Sequence, residues 1–171
     1  MRAAHLARRF FGSLRPRRLD EFDRAWVRSQ LTAAEQDVFG RLGAADRAEA
    51  LATARRLAAA LRDTEHEGDT RWTAAALCHD VGKSVAALGP LGRALATVAG
   101  AVPGARRGRR ARAYLAHADV GARLLADAGA RPETVAWAAA HHDPARWPTA
   151  LVPPEVCEAL ARADGESLPV K

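Results

Sequence analysis

The amino-acid sequence is patterned for α-helices along most of its length, and this pattern limits the possible folds more than any other feature. Within residues 46–62, for example, apolar residues follow Leu51 at offsets of 3, 7 and 10, which is the spacing of one helix face. The alternating pattern of strands is nearly absent. Hydrophobic residues make up 49% of the chain but aromatic residues only 5%, and much of the apolar share is alanine. We therefore predict an all-α fold with a core of closely packed helices.

Capping and stop signals set the limits of the individual helices. Thr32-Ala33-Ala34-Glu35 is a capping box, Gly129 is a stop signal, and Pro132 suits the first turn of a helix. The predicted helices cover residues 20–31, 32–42, 46–62, 70–80, 90–99, 112–128, 132–142 and 155–163, with a Gly/Pro/Arg linker at 100–110. A chain of 171 residues usually forms one domain. We predict a single compact helical bundle over residues 19–171, preceded by a basic and flexible arm at residues 1–18.

The formal net charge of +6 is concentrated in two arginine-rich segments. Residues 1–19 and residues 93–112 each contain six arginines and no acid, while the rest of the chain has 14 basic and 20 acidic side chains. Charge runs of this kind are most often solvated faces. As functional alternatives, the first segment suits a weak contact of residues 1–18 with an anionic membrane surface or nucleic acid, and the second suits attraction of phosphorylated substrates. Neither segment has a base-reading motif or an aromatic stacking platform, so we do not expect specific nucleic-acid recognition.

The two cysteines and the lack of long apolar segments favour a cytoplasmic protein. Cys78 and Cys157 have no metal-like spacing and are typical of a reduced thiol pair. No segment approaches the roughly 18 apolar residues of a membrane span, and the N-terminus lacks the apolar core of a secretory signal. A transit peptide is an alternative interpretation of the N-terminal arginines, although the abundance of alanine and arginine is also explained by a GC-rich genome.

Four of the six histidines, together with two aspartates, lie near predicted helix ends. His79-Asp80 directly follows the apolar run 74–78, His117 opens a helical segment, His141-His142 closes another, and Asp164 follows the last helix. Burying imidazoles and carboxylates is costly unless they pair or bind an ion. In helical bundles, such groups from several helices converge to form metal sites.

The same residues carry a resemblance to a known family. Leu77-Cys78-His79-Asp80-Val81-Gly82-Lys83 closely resembles the signature of the HD-domain superfamily of metal-dependent phosphohydrolases. Residues 117–125 look like the family's His-x-x-x-Gly-x-x-Leu-Leu helix, residues 137–142 look like its Ala-x-x-His-His segment, and Asp164 matches its closing aspartate. The resemblance covers residues 46–165, and the order of the motifs makes it specific.

The resemblance implies a role for each matched residue. His79, Asp80 and Asp164 would bind a first metal ion, and Asp80 would bridge to a second ion held by three further histidines, His117, His141 and His142. One or two divalent ions are expected, with Mn, Mg, Fe, Co and Ni all compatible. Asp80 and Lys83 would be the catalytic residues, and Lys83 would contact the substrate phosphate. Because they are positively charged, Arg106 and Arg107 are further candidates for phosphate contact.

The sequence departs from the family where a first histidine is expected. The helix that should supply it, residues 46–57, contains no histidine. One register places Glu49 at this position, and another places Thr53 there with Arg56 as the following arginine. We prefer Glu49, because a carboxylate can replace an imidazole as a ligand. The alternative is that Glu49 is merely exposed and this ligand position is degraded.

The resemblance implies hydrolysis of a phosphoester or phosphoanhydride, with a nucleotide-like small molecule as the substrate. The chain lacks a Gly-Tyr-Pro motif after His142, so we assign no cyclic dinucleotide. Because the first histidine is missing, a catalytically silent HD module that binds a ligand or acts as a scaffold is the alternative. A third hypothesis is an electrostatic adaptor that binds nucleic acid or lipid through its arginines.

Overall fold

A computed structural model of the chain describes residues 18–86 and 117–165, and these residues form helices and turns without any strand. The predicted all-α class is therefore confirmed. Residues 1–17 of the predicted arm 1–18, the predicted helix 90–99, and the linker 100–110 with Arg106 and Arg107 lie outside the described residues. In the described part of the chain, no helix is both long and apolar enough to span a membrane.

The described residues contain eight α-helices and one short 3-10 helix, joined by turns. They are α1 (Glu21–Gln30), α2 (Ala33–Gly40), α3 (Ala44–Ala60), α4 (Thr70–Cys78), α5 (Lys83–Ala86), α6 (His117–Ala128), α7 (Pro132–Ala140), the 3-10 helix Pro144–Arg146 and α8 (Pro154–Asp164). The capping box predicted from the sequence opens α2, where Thr32 accepts a hydrogen bond from the Glu35 amide and Glu35 accepts one from the Thr32 amide.

Five helices end one or two residues earlier than the sequence predicts, namely α1, α2, α3, α4 and α7, and two of these end at a histidine of the candidate site. α4 stops at Cys78 with His79 as its C-cap, and α7 stops at Ala140 with His141 as its C-cap. After α4 the backbone tightens into i→i+3 hydrogen bonds, as from the Lys83 amide to the Asp80 carbonyl. These turns allow consecutive side chains after the helix to face the same side of the bundle.

Helix α4 lies at the centre of the bundle and contacts α1, α2, α3, α7 and α8. Its residues 74–78, which are three alanines followed by Leu77 and Cys78, are completely buried. Alanine side chains allow neighbouring helices to approach closely, so α4 can be surrounded on all sides. Because α4 ends inside the bundle, His79 and Asp80 are buried as well.

Two glycines bring the residues after α4 against the first turn of α6. A Cβ atom at Gly82 would lie 2.0 Å from the His117 carbonyl oxygen and 2.7 Å from the Gly121 amide nitrogen. Only glycine fits such a close approach of two backbones. The contact therefore places His117, the first residue of α6, beside the His79-Asp80 pair.

Candidate metal centre

The ends of four helices supply the side chains of one buried cluster. His79 and Asp80 follow α4, His117 begins α6, His141 follows α7, and Asp164 is the last residue of α8. The first four are buried, Asp164 is half-buried, and the neighbouring His142 is exposed. The structure thus brings together the histidines and aspartates that the sequence selected from segments far apart in the chain.

The rings of His79 and His141 are held in the same way. The carbonyl oxygen of Ala76 lies 2.8 Å from His79 Nδ1, and that of Ala138 lies 3.0 Å from His141 Nδ1. A carbonyl oxygen only accepts hydrogen bonds, so Nδ1 carries the proton in both rings. In the neutral rings, Nε2 then offers a lone pair, which is the tautomer that metal-binding histidines use.

Asp80 lies between the histidines. Its Oδ1 is 3.1 Å from His117 Nε2 and 3.9 Å from His141 Nε2, and its Oδ2 is 3.3 Å from His79 Nε2. Lys83 Nζ forms an ion pair with the same Oδ2. Asp80 therefore lies beside His79, which the resemblance assigns to a first ion, and beside His117 and His141, which it assigns to a second.

Asp164 and His142 extend the cluster in two directions. Asp164 Oδ1 lies 3.2 Å from His79 Nε2, so His79 is flanked by two carboxylates. His142 Nε2 lies 2.9 Å from His117 Nε2 at the other side. The result is one continuous group of ligand atoms running from Asp164 through Asp80 to His142.

The donor atoms fit a divalent cation. Asp80, His117, His141 and His142 each offer one ligand atom, and these atoms all lie within 4.8 Å of one another. The buried atoms His79 Nε2, Asp80 Oδ1 and His141 Nε2 have no hydrogen-bond partner of acceptable geometry. Such atoms are costly in a protein interior, and coordination to an ion would satisfy them. A set of imidazole nitrogens and carboxylate oxygens suits Mn, Fe, Co, Ni or Zn better than it suits an ion that prefers oxygen ligands alone.

The protonation of the cluster follows from its burial and its charges. Burial, reinforced by the neighbouring His79 and His142, lowers the pKa of His141 to about 3, so this ring is neutral at physiological pH. Burial also disfavours the charged form of His79, but the carboxylates of Asp80 and Asp164 outweigh it and raise the His79 pKa well above its usual value. Burial opposes ionisation of Asp80, yet the charges of His79 and Lys83 hold its pKa well below the usual range. Without an ion, the positive charges of His79 and Lys83 balance the negative charges of Asp80 and Asp164.

The structure brings Thr53, and not Glu49, to the cluster. Thr53 is 1% exposed and lines a narrow cavity together with His79, His141 and Asp164. Glu49 is half-buried and belongs neither to this lining nor to the group of ligand atoms around Asp80. The physical reason is position along α3, because Glu49 lies one turn, or about 6 Å, nearer the helix N-terminus. Of the two registers considered from the sequence, the one with Thr53 and Arg56 places its residue in the lining shared with His79, His141 and Asp164.

Sequence reasoning missed how Arg56 joins α3 to the end of α8. Arg56 Nε donates a hydrogen bond to the Ala163 carbonyl at 2.7 Å, and a second guanidinium nitrogen donates to Thr53 Oγ1 at 2.9 Å. One side chain thereby orients Thr53 and holds the backbone directly before Asp164. The sequence signal for this link was the Thr53–Arg56 spacing, which places both residues one helical turn apart.

The match to a known family covers this same part of the chain. The profile of the HD domain matches residues 48–167, which include all the residues of the cluster. This chain belongs to the HD-domain family. The resemblance seen over residues 46–165 is thereby confirmed for the HD domain as a whole. No curated protein and no solved structure matched the chain. HD domains form a superfamily of metal-dependent phosphohydrolases, and the His/Asp cluster of this HD domain can hold a metal ion.

Proposed function

We propose that this HD domain is a metal-dependent phosphohydrolase acting on a phosphoester or phosphoanhydride of a nucleotide-like small molecule. The observation that supports the proposal is the convergence of His79 Nε2 and His141 Nε2 on the two oxygens of Asp80. Both rings are fixed by backbone carbonyls before any ion binds. A site whose ligands are held in place in this way is suited to catalysis, because little reorganisation is needed when an ion enters.

Two groups of residues would hold ions in this HD domain. His79, Asp80 and Asp164 would bind one ion, and His117, His141 and His142 would bind a second ion next to Asp80. When bound, a divalent ion lowers the pKa of a water molecule and polarises a phosphoryl oxygen. The described chain supplies the fixed donors and a largely buried surrounding that limits competing water.

In this proposal, Lys83 contacts the substrate phosphate. Its ammonium group pairs with Asp80 at the edge of the cluster and its side chain is mostly buried. A phosphate that enters the site would meet this positive charge, which favours binding and neutralises charge that develops on the phosphoryl oxygens. Arg106 and Arg107 would add attraction for phosphate by their charge alone.

We place the protein in the cytoplasm, with residues 1–18 in weak contact with anionic membranes.

The reaction that we propose has no covalent enzyme intermediate. Cys78 is the thiol next to His79 in the sequence, but it is completely buried, and this burial raises its pKa far above the usual value. A protonated thiol without access to solvent does not act as a nucleophile. Water is the attacking group in the proposal, and Asp80 and Lys83 are the protein groups that we assign to the reaction.

A silent HD module is the second candidate, and Thr53 is the observation that favours it. The residue that meets His79 and Asp164 from α3 carries a hydroxyl group where the family resemblance predicts an imidazole. A hydroxyl is a weaker ligand for a divalent ion than an imidazole. An HD domain with this substitution can still hold a ligand or an ion without turning over a substrate.

The decisive experiment combines metal analysis with hydrolysis assays. The purified protein is analysed for metal, then loaded separately with Mn²⁺, Mg²⁺, Fe²⁺, Co²⁺ or Ni²⁺ and tested on p-nitrophenyl phosphate, bis-p-nitrophenyl phosphate and nucleoside mono- and triphosphates. We expect metal-dependent hydrolysis that falls at least about tenfold in His141→Ala and Asp80→Asn. Asp37→Asn is the matched control for Asp80→Asn, because Asp37 lies in an exposed ion pair with Arg41 and belongs to no group of possible metal ligands among the described residues.

The outcomes separate the candidates. Hydrolysis lost in the two cluster variants and kept in the control supports the phosphohydrolase. Metal that binds through His141 and Asp80 without hydrolysis of any of these substrates favours the silent module. A protein that neither retains metal nor hydrolyses any of them contradicts the proposal.

A further inference from the structure

We infer that the HD domain has a second ligand site, a basic pocket between α1, α2 and α3 that binds an organic polyanion of the nucleoside phosphate class. The basic pocket has a volume of about 410 Å³, and its lining includes Arg18, Arg24, Arg28, Val27, Phe39 and Arg47. None of the residues of the metal cluster lines it. The inference therefore does not depend on the proposed hydrolase activity.

Four arginines from different parts of the fold meet at the rim of this pocket. Arg18 precedes α1, Arg24 and Arg28 lie on α1, and Arg47 lies on α3. The Arg24 guanidinium is already oriented, because it donates a hydrogen bond to the Leu19 carbonyl. Guanidinium groups offer several donors in a fixed plane, which matches the oxygens of phosphate.

The charges at the rim have no protein counterpart within the part of the chain that the structure describes. Among the described residues no carboxylate lines the pocket, and Arg18, Arg28 and Arg47 form no ion pair with a described acid. Other arginines of the HD domain do find acids, as Arg55 does with Asp23 and Arg131 with Glu35. Four neighbouring positive charges repel one another, and an anion with two or more charges would relieve this repulsion.

The floor of the pocket favours an organic anion over inorganic phosphate. Val27 and Phe39 are buried beneath the rim, and Leu19 and Ala44 complete the apolar lining. A volume of this size is typical of small-molecule sites, which combine apolar walls with a few polar groups. An inorganic ion would use only the rim, whereas a nucleoside phosphate would place its ring system on the floor and its phosphates among the arginines.

The test is a fluorescence titration with trinitrophenyl-ATP, an aromatic polyanion, in EDTA at low ionic strength. We expect saturable binding that weakens at least about tenfold in Arg28→Ala and in Arg47→Ala, and more in the double variant. Arg62→Ala is the matched control, because Arg62 is an exposed arginine outside the pocket. His141→Ala should bind the probe as the parent protein does, which separates this pocket from the metal cluster. Circular dichroism verifies that each variant is folded, and Arg28→Gln and Arg47→Gln replace any alanine variant that is not.

Three results would overturn the inference. The first is probe binding that the Arg28 and Arg47 variants leave unchanged or that Arg62→Ala weakens equally. The second is probe binding that is lost in His141→Ala, which would place the probe in the metal cluster. The third is displacement of the probe by inorganic tripolyphosphate as effectively as by ATP, which would show that the apolar floor plays no part.

Discussion

Thr53 is the single residue whose position most affects what this HD domain can bind. It lines a narrow cavity with His79 and Asp164 and is held by Arg56, and one register of the family resemblance places the missing first histidine here. In the proposed two-ion arrangement, a threonine hydroxyl would leave the first ion with His79, Asp80 and Asp164 as its main protein ligands. The first metal position would then be short of one strong ligand, and its affinity would depend on residue 53.

We predict that Thr53→His increases the affinity for a divalent ion about tenfold or more, because an imidazole would add a strong ligand beside His79 and Asp164. Isothermal titration with Mn²⁺ or Co²⁺ measures the change. Glu49→Ala is the matched comparison on the same helix and should leave the affinity unchanged. If Glu49→Ala abolishes binding and Thr53→His has no effect, Glu49 is the ligand after all.

At the scale of helices, the contact between Gly82 and Gly121 determines whether the two halves of the cluster meet. The residues after α4 and the first turn of α6 touch through their backbones at these glycines. His117 comes within 3.1 Å of Asp80 only because no side chain separates the two segments. A structural substitution away from the ligands should therefore alter metal binding.

We predict that Gly82→Ala destabilises the protein by at least about 1–3 kcal/mol and weakens metal binding, because the new methyl group would displace α6 and His117. Urea unfolding and metal titration measure the two effects. Gly40→Ala is the control, since a Cβ at Gly40 meets no atom within 4 Å and alanine favours a helix. It should be neutral or slightly stabilising. An equal loss of stability in both variants would contradict the role given to the close approach.

At the scale of the whole molecule, Glu35 connects much of the bundle around one buried charge. Its carboxylate accepts hydrogen bonds from Thr32, Arg131 and Thr134. Arg131 in turn donates to the Gln30 carbonyl and to Thr70, so the network joins the end of α1 and the beginnings of α2, α4 and α7. Burial opposes the charge on Glu35, but the bonds from Arg131, Thr32 and Thr134 lower its pKa from 4.5 to about 2.

We predict that this network makes the protein acid-sensitive between about pH 4.5 and pH 2. A carboxyl group whose pKa is lower in the folded state stabilises the fold at pH values above its unfolded pKa, and the stabilisation is lost as the pH falls through the folded pKa. The shift corresponds to about 3 kcal/mol at neutral pH. Glu35→Gln should lose this amount at pH 7 and differ little from the parent near pH 2, as measured by urea unfolding.

Asp37→Asn is the matched control for Glu35→Gln, because Asp37 lies on the same helix in an exposed pair with Arg41. Such pairs contribute at most about 1 kcal/mol. A Glu35→Gln variant that is as stable as Asp37→Asn at pH 7 would show that the network does not hold the bundle together.

The sequence predicted most helices well because their start and stop signals are local. The capping box at Thr32 and Glu35 and the proline at position 132 act within one turn, so neighbouring residues are enough to recognise them. The ends of α2, α4 and α7 were placed two residues too late, because each helix passes into i→i+3 hydrogen-bonded turns that the sequence pattern does not distinguish from the helix. Glu35 was seen only as a capping residue, since its partner Arg131 is 96 residues away.

The sequence alone determined the helical class through the spacing of its apolar residues. Its resemblance to a known family was enough to predict the HD domain and the ordered set of histidines and aspartates in the cluster. The tertiary structure decided which residue of α3 meets that set. Glu49 and Thr53 are one turn apart, and only the packing of α3 against α4 and α8 distinguishes them. The tertiary structure also brings four arginines together at the basic pocket. The net charge of a sequence does not indicate which of its charged residues become neighbours.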